Sequence, residues 1–222
     1  MKRTALLAGA SGLVGGYCLK ELLADPAYSH VTVLARSALG VKHPKLTEKI
    51  VNFDHLKDAL KGIQVDDVFC ALGTTRKKSP DPKAYQKIDV DYPAHLAHYT
   101  RKNKARQFLV VSSLGADPNS GIPYGRRKGE MEKAVGSEPF EAVHLFRPSF
   151  ITGEKDRKER RPTERWMECI LALLPFLFAG PLKKYKPIAA ATIAKAMVRV
   201  SKAGMKGVHV WPSDKIAEQG AS

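Results

Sequence analysis

The chain has 222 residues, 44% hydrophobic and 8% aromatic, which is enough for a sizeable core and excludes wholesale disorder. Its 17 Gly and 14 Pro exclude collagen-like and linker-dominated chains. Lys plus Arg number 37 against 22 Asp plus Glu, and the resulting charge of +15 favours a phosphate-bearing ligand, a polyanion or an anionic membrane surface without choosing among them.

Thr4–Ala8 is a short apolar run that stops in glycines and reads as a buried strand. Lys2 and Arg3 ahead of it mimic the start of a signal peptide, but the glycines end the run before a full apolar stretch forms. Leu13–Ala24 is a helix, with Val14, Cys18, Leu19, Leu22 and Leu23 at helical spacing. Val31–Ala35 is the second strand, Lys49–Phe53 the third, and Leu56–Leu60 a short helix. Asp67–Ala71 is the fourth strand, running into the loop Leu72-Gly73-Thr74-Thr75. A long helix is expected from about Lys83 to Lys102, bent at Pro93. Phe108–Val111 is the fifth strand, Tyr124–Val135 a helix, and Ala142–Phe146 the sixth strand. Near-continuous apolar strands separated by helices predict an α/β fold, a Rossmann-type doubly wound parallel sheet covered on both faces.

After Arg147-Pro148 the alternation breaks. Gly153–Arg165 is a charged loop or the start of a helix. Helices follow at about Thr163–Phe178 and Ala189–Ala203, then a strand at Gly207–Trp211. Cys169–Ala179 is apolar but only 11 residues long, with Pro175 inside. A spanning helix needs about 20, so no transmembrane segment is expected, and the run is a buried helix or else a lid or partner-facing surface. Residues 1–222 read as a single domain, with 1–146 as a nucleotide-binding core and 147–222 as a small helical cap over the ligand crevice.

Three motifs carry chemistry. The first strand runs into Gly9-Ala10-Ser11-Gly12-Leu13-Val14-Gly15, spaced GxxGxxG rather than GxGxxG. A pyrophosphate needs backbone N–H groups and a helix N-terminus pointed at it, and glycines let the backbone come close. A plain tight strand–helix turn is the alternative. The second strand ends in Arg36-Ser37, where an NAD site usually has an acid for the ribose 2′-OH. The guanidinium suits a 2′-phosphate, which favours NADP(H) over NAD(H), although a solvated arginine would look the same. Asp54 is placed for the adenine amino group or as a helix cap. The third motif is Ser112-Ser113 after the fifth strand, with Tyr124 and Lys128 one turn apart on the next helix; of seven tyrosines only Tyr124 has Lys four residues later. A phenol titrating near its ordinary value of about 10 is a poor base at neutral pH, and an adjacent ammonium favours the phenolate.

Together GASGLVG, VTVLARS, FCALGTT, VSSLGAD, YGRRKGE and LFRPSFI resemble the short-chain dehydrogenase/reductase superfamily in its extended or atypical branches. Within it the chain looks like the Tat-interacting tumour-suppressor oxidoreductase family and its bacterial NAD(P)-binding relatives, over roughly Thr4–Trp166. The resemblance implies an NADP(H)-binding Rossmann fold. It implies cofactor contacts from the glycine loop (Gly9, Ser11, Gly12, Leu13, Val14, Gly15), from Arg36 and Ser37, from Leu72, Gly73 and Thr74, and from Tyr124 and Lys128. Ile151 and Arg161 also fall on cofactor positions. Tyr124 would be the acid/base, Lys128 its electrostatic support, and Ser113 the carbonyl-orienting serine, with Ser112 as the neighbour a register shift would promote. Many relatives carry an asparagine on the helix after the fourth strand, completing a proton relay; here Asp89 stands in its place.

The expectation is a cytoplasmic NADP(H)-dependent oxidoreductase moving hydride to or from a small carbonyl or alcohol substrate. Two alternatives stay open: a non-enzymatic NADP(H)-binding regulator with a protein partner at its C-terminal region, and an epimerase- or dehydratase-like enzyme. Cys18, Cys70 and Cys169 form no CxxC pair, so neither a disulfide nor a zinc site is expected, and a reducing cytoplasm is the default. The seven histidines form no HxxxH or HxH set, so no metal is expected. Arg76-Lys77-Lys78 and Arg101–Lys104 lack interleaved aromatics and read as solvated, with no nucleic-acid partner. Oligomerisation is left open.

Overall fold

A computed structural model describes residues 2–74, 81–153 and 180–221. Thr75 and Arg76-Lys77-Lys78, the charged stretch beyond Gly153 with Arg161, the helix expected at Thr163–Phe178, and Cys169 with its apolar run lie outside the described residues.

The strands are β1 (Arg3–Ala8), β2 (Tyr28–Ala35), β3 (Leu46–Ile50), β4 (Asp67–Cys70), β5 (Gln107–Val111), β6 (Ala142–Arg147), β7 (Ile151–Thr152), β8 (Ile188–Ala189) and β9 (Gly207–Pro212). Seven of them form one parallel sheet in the order β3-β2-β1-β4-β5-β6-β9, while β7 and β8 pair separately. The helices are α1 (Leu13–Ala24), α2 (Leu56–Ala59), α3 (Pro82–Gln86), α4 (Tyr92–Lys102), α5 (Pro123–Gly136), α6 (Ala190–Ser201) and α7 (Ser213–Gly220). β9 lies beyond residue 146 and still belongs to the main sheet, because its backbone pairs with β6 along Ala142–Arg147.

Alternate residues along each strand serve the two faces. Leu7, Val33, Phe69, Leu109 and Phe146 meet α1 and α6 through Val14, Cys18, Leu22, Ile193 and Met197. Leu6, Leu34, Val68, Phe108 and Val110 meet α2, α4 and α5 through Leu56, Leu96, Met131 and Val135. Each fully buried aliphatic side chain contributes about 1.5–3 kcal/mol, so the double apolar face of the strands is what commits the chain to helices on both sides. Among the described residues, no helix is long and apolar enough to cross a membrane.

The edge of the sheet at the strands' N-terminal ends is tied by one buried carboxylate. Asp67 accepts from Arg3 Nε at 2.6 Å, from the Tyr28 hydroxyl at 2.6 Å and from Gln107 Nε2 at 2.7 Å. Tyr28 also meets the Ser201 hydroxyl, which links this knot to α6.

Two local expectations change. β3 ends at Ile50 rather than reaching Phe53, because this edge strand is only half-buried and Val51–Phe53 turn away to line a cavity. The helix expected over Lys83–Lys102 is not a single α-helix. Lys87–Asp91 instead form a π-helical turn between α3 and α4, and Pro93 sits in the first turn of α4, where no N–H is required. The two-residue strands β7 and β8, and α7, carry no periodicity long enough to read in advance.

Candidate functional site

The C-terminal ends of the strands bring the glycine loop, Arg36, the Leu72–Thr74 loop and the serines after β5 to one edge of the sheet. β1 and β4 are neighbours there while their connections run to opposite sides, the switch point at which parallel sheets open a crevice. Gly9 has φ +94°, and a Cβ on it would lie 2.5 Å from the Ala71 carbonyl oxygen. A Cβ on Gly15 would lie 2.0 Å from the Gly9 carbonyl oxygen. The Gly12 N–H donates to that same oxygen at 2.9 Å, closing the turn. Gly12 caps α1 without a side chain, and the first turn of α1 holds no acid. Its leading N–H groups therefore face outward around a positive helix end, a cradle that fits a pyrophosphate. Ser11 is exposed beside it, and Val14 is buried behind it. From the other side Gly153 comes down on α1, where a Cβ would meet Leu13 Cδ2 at 3.0 Å, so the strand carrying Ile151 closes against the loop.

Next to this cradle is a cavity of about 480 Å³ lined by Arg36, Ile50, Val51, Asn52, Phe53, Ile88 and Tyr92. Among the described residues, its lining holds one guanidinium and no carboxylate. Ser37 is exposed beyond Arg36. Asp54 is not among the lining residues: it accepts from Lys87 Nζ at 2.9 Å and from the Tyr92 hydroxyl at 3.0 Å. Those two donors hold its carboxyl below the usual carboxylate range. The capping alternative for Asp54 passes to Asn52, whose Oδ1 accepts the Asp54 N–H at 3.0 Å. Sequence reasoning passed over Asn52, Ile88 and Tyr92. Only the helical spacing of Ile88 and Tyr92 hinted at a shared face.

The third group centres on α5. A Cβ on Gly129 would lie 2.1 Å from the Pro118 nitrogen, so the loop after Ser113 packs directly into the helix. The Gly125/Gly129 spacing was a readable signal for this contact. Tyr124 is 41% exposed at the open end of α5, while one turn on the Lys128 side chain is 6% exposed. Lys128 Nζ lies 3.7 Å from Asp89 Oδ1, and that oxygen accepts the Thr74 N–H at 3.0 Å. Gly73 is in the same group, since a Cβ there would stand 3.8 Å from Lys128 Nζ. Leu72 packs into the α2/α4/α5 core. Ser112 continues the ladder by donating its N–H to the Phe146 carbonyl at 2.7 Å, and its hydroxyl is buried without a partner among the described residues. Ser113 is half-buried, its hydroxyl donating to the Leu114 carbonyl at 3.3 Å. Burial pushes the Cys70 thiol up to about 11 and the Cys18 thiol higher still, so neither is a nucleophile. Among the described residues, no three His, Cys, Asp or Glu side chains are placed to hold a metal.

A family model described as the NAD dependent epimerase/dehydratase family matches residues 5–211. Protein HTATIP2 of Rattus norvegicus is 30% identical over 200 residues, covering 88% of this chain and 80% of the relative. Protein FMP52, mitochondrial, of Coccidioides immitis is 29% identical over 93% of this chain and 88% of its own. Protein fmp52, mitochondrial, of Emericella nidulans is 33% identical over 80% and 75%. The Bordetella bronchiseptica enzyme WbmH in complex with NAD+ superposes with a TM-score of 0.70 at 15% identity, covering 96% of this chain and 76% of that one. UDP-glucose 4-epimerase of Thermotoga maritima with UDP-glucose gives 0.68 at 13% identity, over 94% and 76%. At those identities the likeness is one of fold. The mitochondrial names of the fungal relatives overturn the cytoplasmic assignment. That assignment rested on three cysteines with no CxxC spacing, a pattern that does not identify a compartment.

Proposed function

This chain belongs to the NAD dependent epimerase/dehydratase family, and on that premise we propose an NADP(H)-dependent oxidoreductase acting on a carbonyl or alcohol. When bound, the nicotinamide supplies or accepts hydride. The protein's own part is to hold the pyrophosphate and the 2′-phosphate, orient the substrate oxygen and move one proton. The glycine loop and the start of α1 take the pyrophosphate. Arg36 takes the 2′-phosphate, a role supported by a cavity whose described lining residues include a guanidinium and no carboxylate to repel it. Ile151 and Ser37 flank the cofactor. Ser113 orients the substrate oxygen, Tyr124 gives or takes its proton, and Lys128 favours the charged phenolate and bonds the nicotinamide ribose.

The observation that carries this reading is the buried Lys128 beside Gly73, with Tyr124 one turn away and open to solvent at the sheet's C-terminal edge. A buried ammonium acts through a lower local dielectric and is worth more to a neighbouring phenol than a surface one. The family model supports a second reading, an epimerase or dehydratase that ends each turnover with its cofactor unchanged.

Tyr124→Phe removes one oxygen and keeps the ring. Turnover of a carbonyl panel with NADPH should fall by about 10²- to 10⁴-fold, with NADPH affinity nearly constant. Unchanged turnover would refute the proton-transfer role. Product formed without net NADPH oxidation would favour the epimerase reading, and tight NADPH binding with no turnover at all would favour a regulator.

A further inference from the structure

We propose that Asp89 is a positioning residue: its buried carboxylate holds the Lys128 ammonium and the Gly73–Thr74 loop in one arrangement. This rests on the reading above in placing Lys128 at the nicotinamide ribose. Asp89 is 1% exposed and comes from the π-helical turn Lys87–Asp91. The extra residue of such a turn redirects side chains, and here Asp89 faces α5 and the end of β4. Oδ1 accepts the Thr74 N–H at 3.0 Å and lies 3.7 Å from Lys128 Nζ. Oδ2 is buried and has no hydrogen-bond partner among the described residues. The separation is a contact between charges rather than a short hydrogen bond, so Lys128 is the cation that compensates this carboxylate.

Among the described residues, two further buried groups feel the pair, and neither brings a charge to replace it. Burial raises the phenol of Tyr85 on α3, which feels Asp89. Burial also raises the thiol of Cys70 on β4, which feels Lys128. Both stay neutral. An asparagine could still accept the Thr74 N–H but would bring no charge. The carboxylate of Asp89 therefore adds a charge, and that charge fixes where the ammonium stands.

The test is a double-mutant cycle in the full chain with Asp89→Asn, Lys128→Met and the pair together, read by urea unfolding and by calorimetric NADPH binding. Asp89→Asn alone should lower the urea midpoint, because it leaves a buried ammonium unpaired. In the Lys128→Met background the same change should raise the midpoint, because it removes a buried carboxylate that has lost its partner. NADPH affinity should fall about 10-fold in Asp89→Asn, the scale of one charge-assisted hydrogen bond. It should not change further when Asp89→Asn is added to Lys128→Met. Asp89→Glu, which restores the charge, should recover part of the affinity. If Asp89→Asn alone does not fold, recovery of folding by adding Lys128→Met supports the pair. Additive midpoints, or the same loss of NADPH affinity with and without Lys128, would overturn the proposal. Coupled midpoints with NADPH affinity untouched by Asp89→Asn would overturn it too. Unchanged turnover in Tyr124→Phe would sink the acid–base reading and leave this cycle standing.

Discussion

Two adjacent glycines in α1 should respond to the same substitution with opposite signs. A Cβ at Gly15 would stand 2.0 Å from the Gly9 carbonyl oxygen and 2.6 Å from its carbon. Clearing that contact requires a movement of about 1 Å. Gly9 has little room to give, since its oxygen accepts the Gly12 N–H and its own Cα faces the Ala71 carbonyl. Overpacking of this kind costs about 1–3 kcal/mol, and a backbone obstacle takes the upper end. Alanine recovers about 1 kcal/mol of helix propensity, so Gly15→Ala should lose about 2 kcal/mol net. The turn that opens is also the proposed phosphate cradle, so NADPH affinity should drop by at least about 10-fold. At Gly16 a Cβ would lie 3.4 Å from the Ala10 carbonyl oxygen, an ordinary contact. Gly16→Ala should therefore gain up to about 1 kcal/mol and leave NADPH binding unchanged. Urea unfolding followed by circular dichroism gives the stabilities, and calorimetry gives the affinities. A Gly15→Ala protein as stable as the parent with full NADPH affinity would refute the reasoning, as would a Gly16→Ala protein damaged to the same degree.

Arg36→Asp should weaken NADPH by about 10- to 100-fold, from the loss of a charge-assisted contact of about 1.5–3 kcal/mol, and NADH far less; equal losses in titrations of both would remove the 2′-phosphate role. Burial, with His209 alongside, holds the His144 imidazole down from 6.5 to about 4. The unfolded chain then takes up a proton below 6.5 that the folded chain refuses until about 4, so stability is lost as pH falls through that window, by about 3 kcal/mol in all. His144→Phe should flatten that limb when urea midpoints at pH 7 and pH 4.5 are compared, and an equally steep loss in the variant would assign it to other groups. Asp67→Ala would strand the donors of Arg3, Tyr28 and Gln107, at about 3–5 kcal/mol. Since Asp67 sits at the opposite ends of the strands from the glycine loop, NADPH affinity should hold at temperatures where the variant is folded; a parallel collapse of affinity would show the two ends to be coupled.

Local backbone chemistry was legible in the amino-acid sequence. Leu13–Ala24 forms a helix with the limits its apolar spacing predicts, and each central strand is an apolar run, because a strand buried on both faces has no alternation to hide it. The parallel order follows from the alternation of strand and helix. The glycine turn, Arg36 and the Tyr124/Lys128 spacing were visible because each is a short-range pattern tied to the end of a strand. The limits of β3 were not, since an edge strand is half-buried and its apolar residues Val51 and Phe53 serve a cavity instead. The π turn was not either, because one extra residue in a helix leaves the apolar period almost intact. Asn52, Ile88 and Tyr92 meet around Arg36 only after β2, β3 and the helix following β4 are assembled. The same holds for Asp89 and Lys128, and for Arg3 and Asp67. In isolation Arg3 and Asp67 are simply charged side chains, and nothing local pairs Asp89 with Lys128. Tertiary structure brings opposite charges from distant segments out of water together, and a charge in a low-dielectric interior is stable only beside its partner. Which residues become partners was therefore decided by the fold, while the periodicity that makes the fold was already present in the chain.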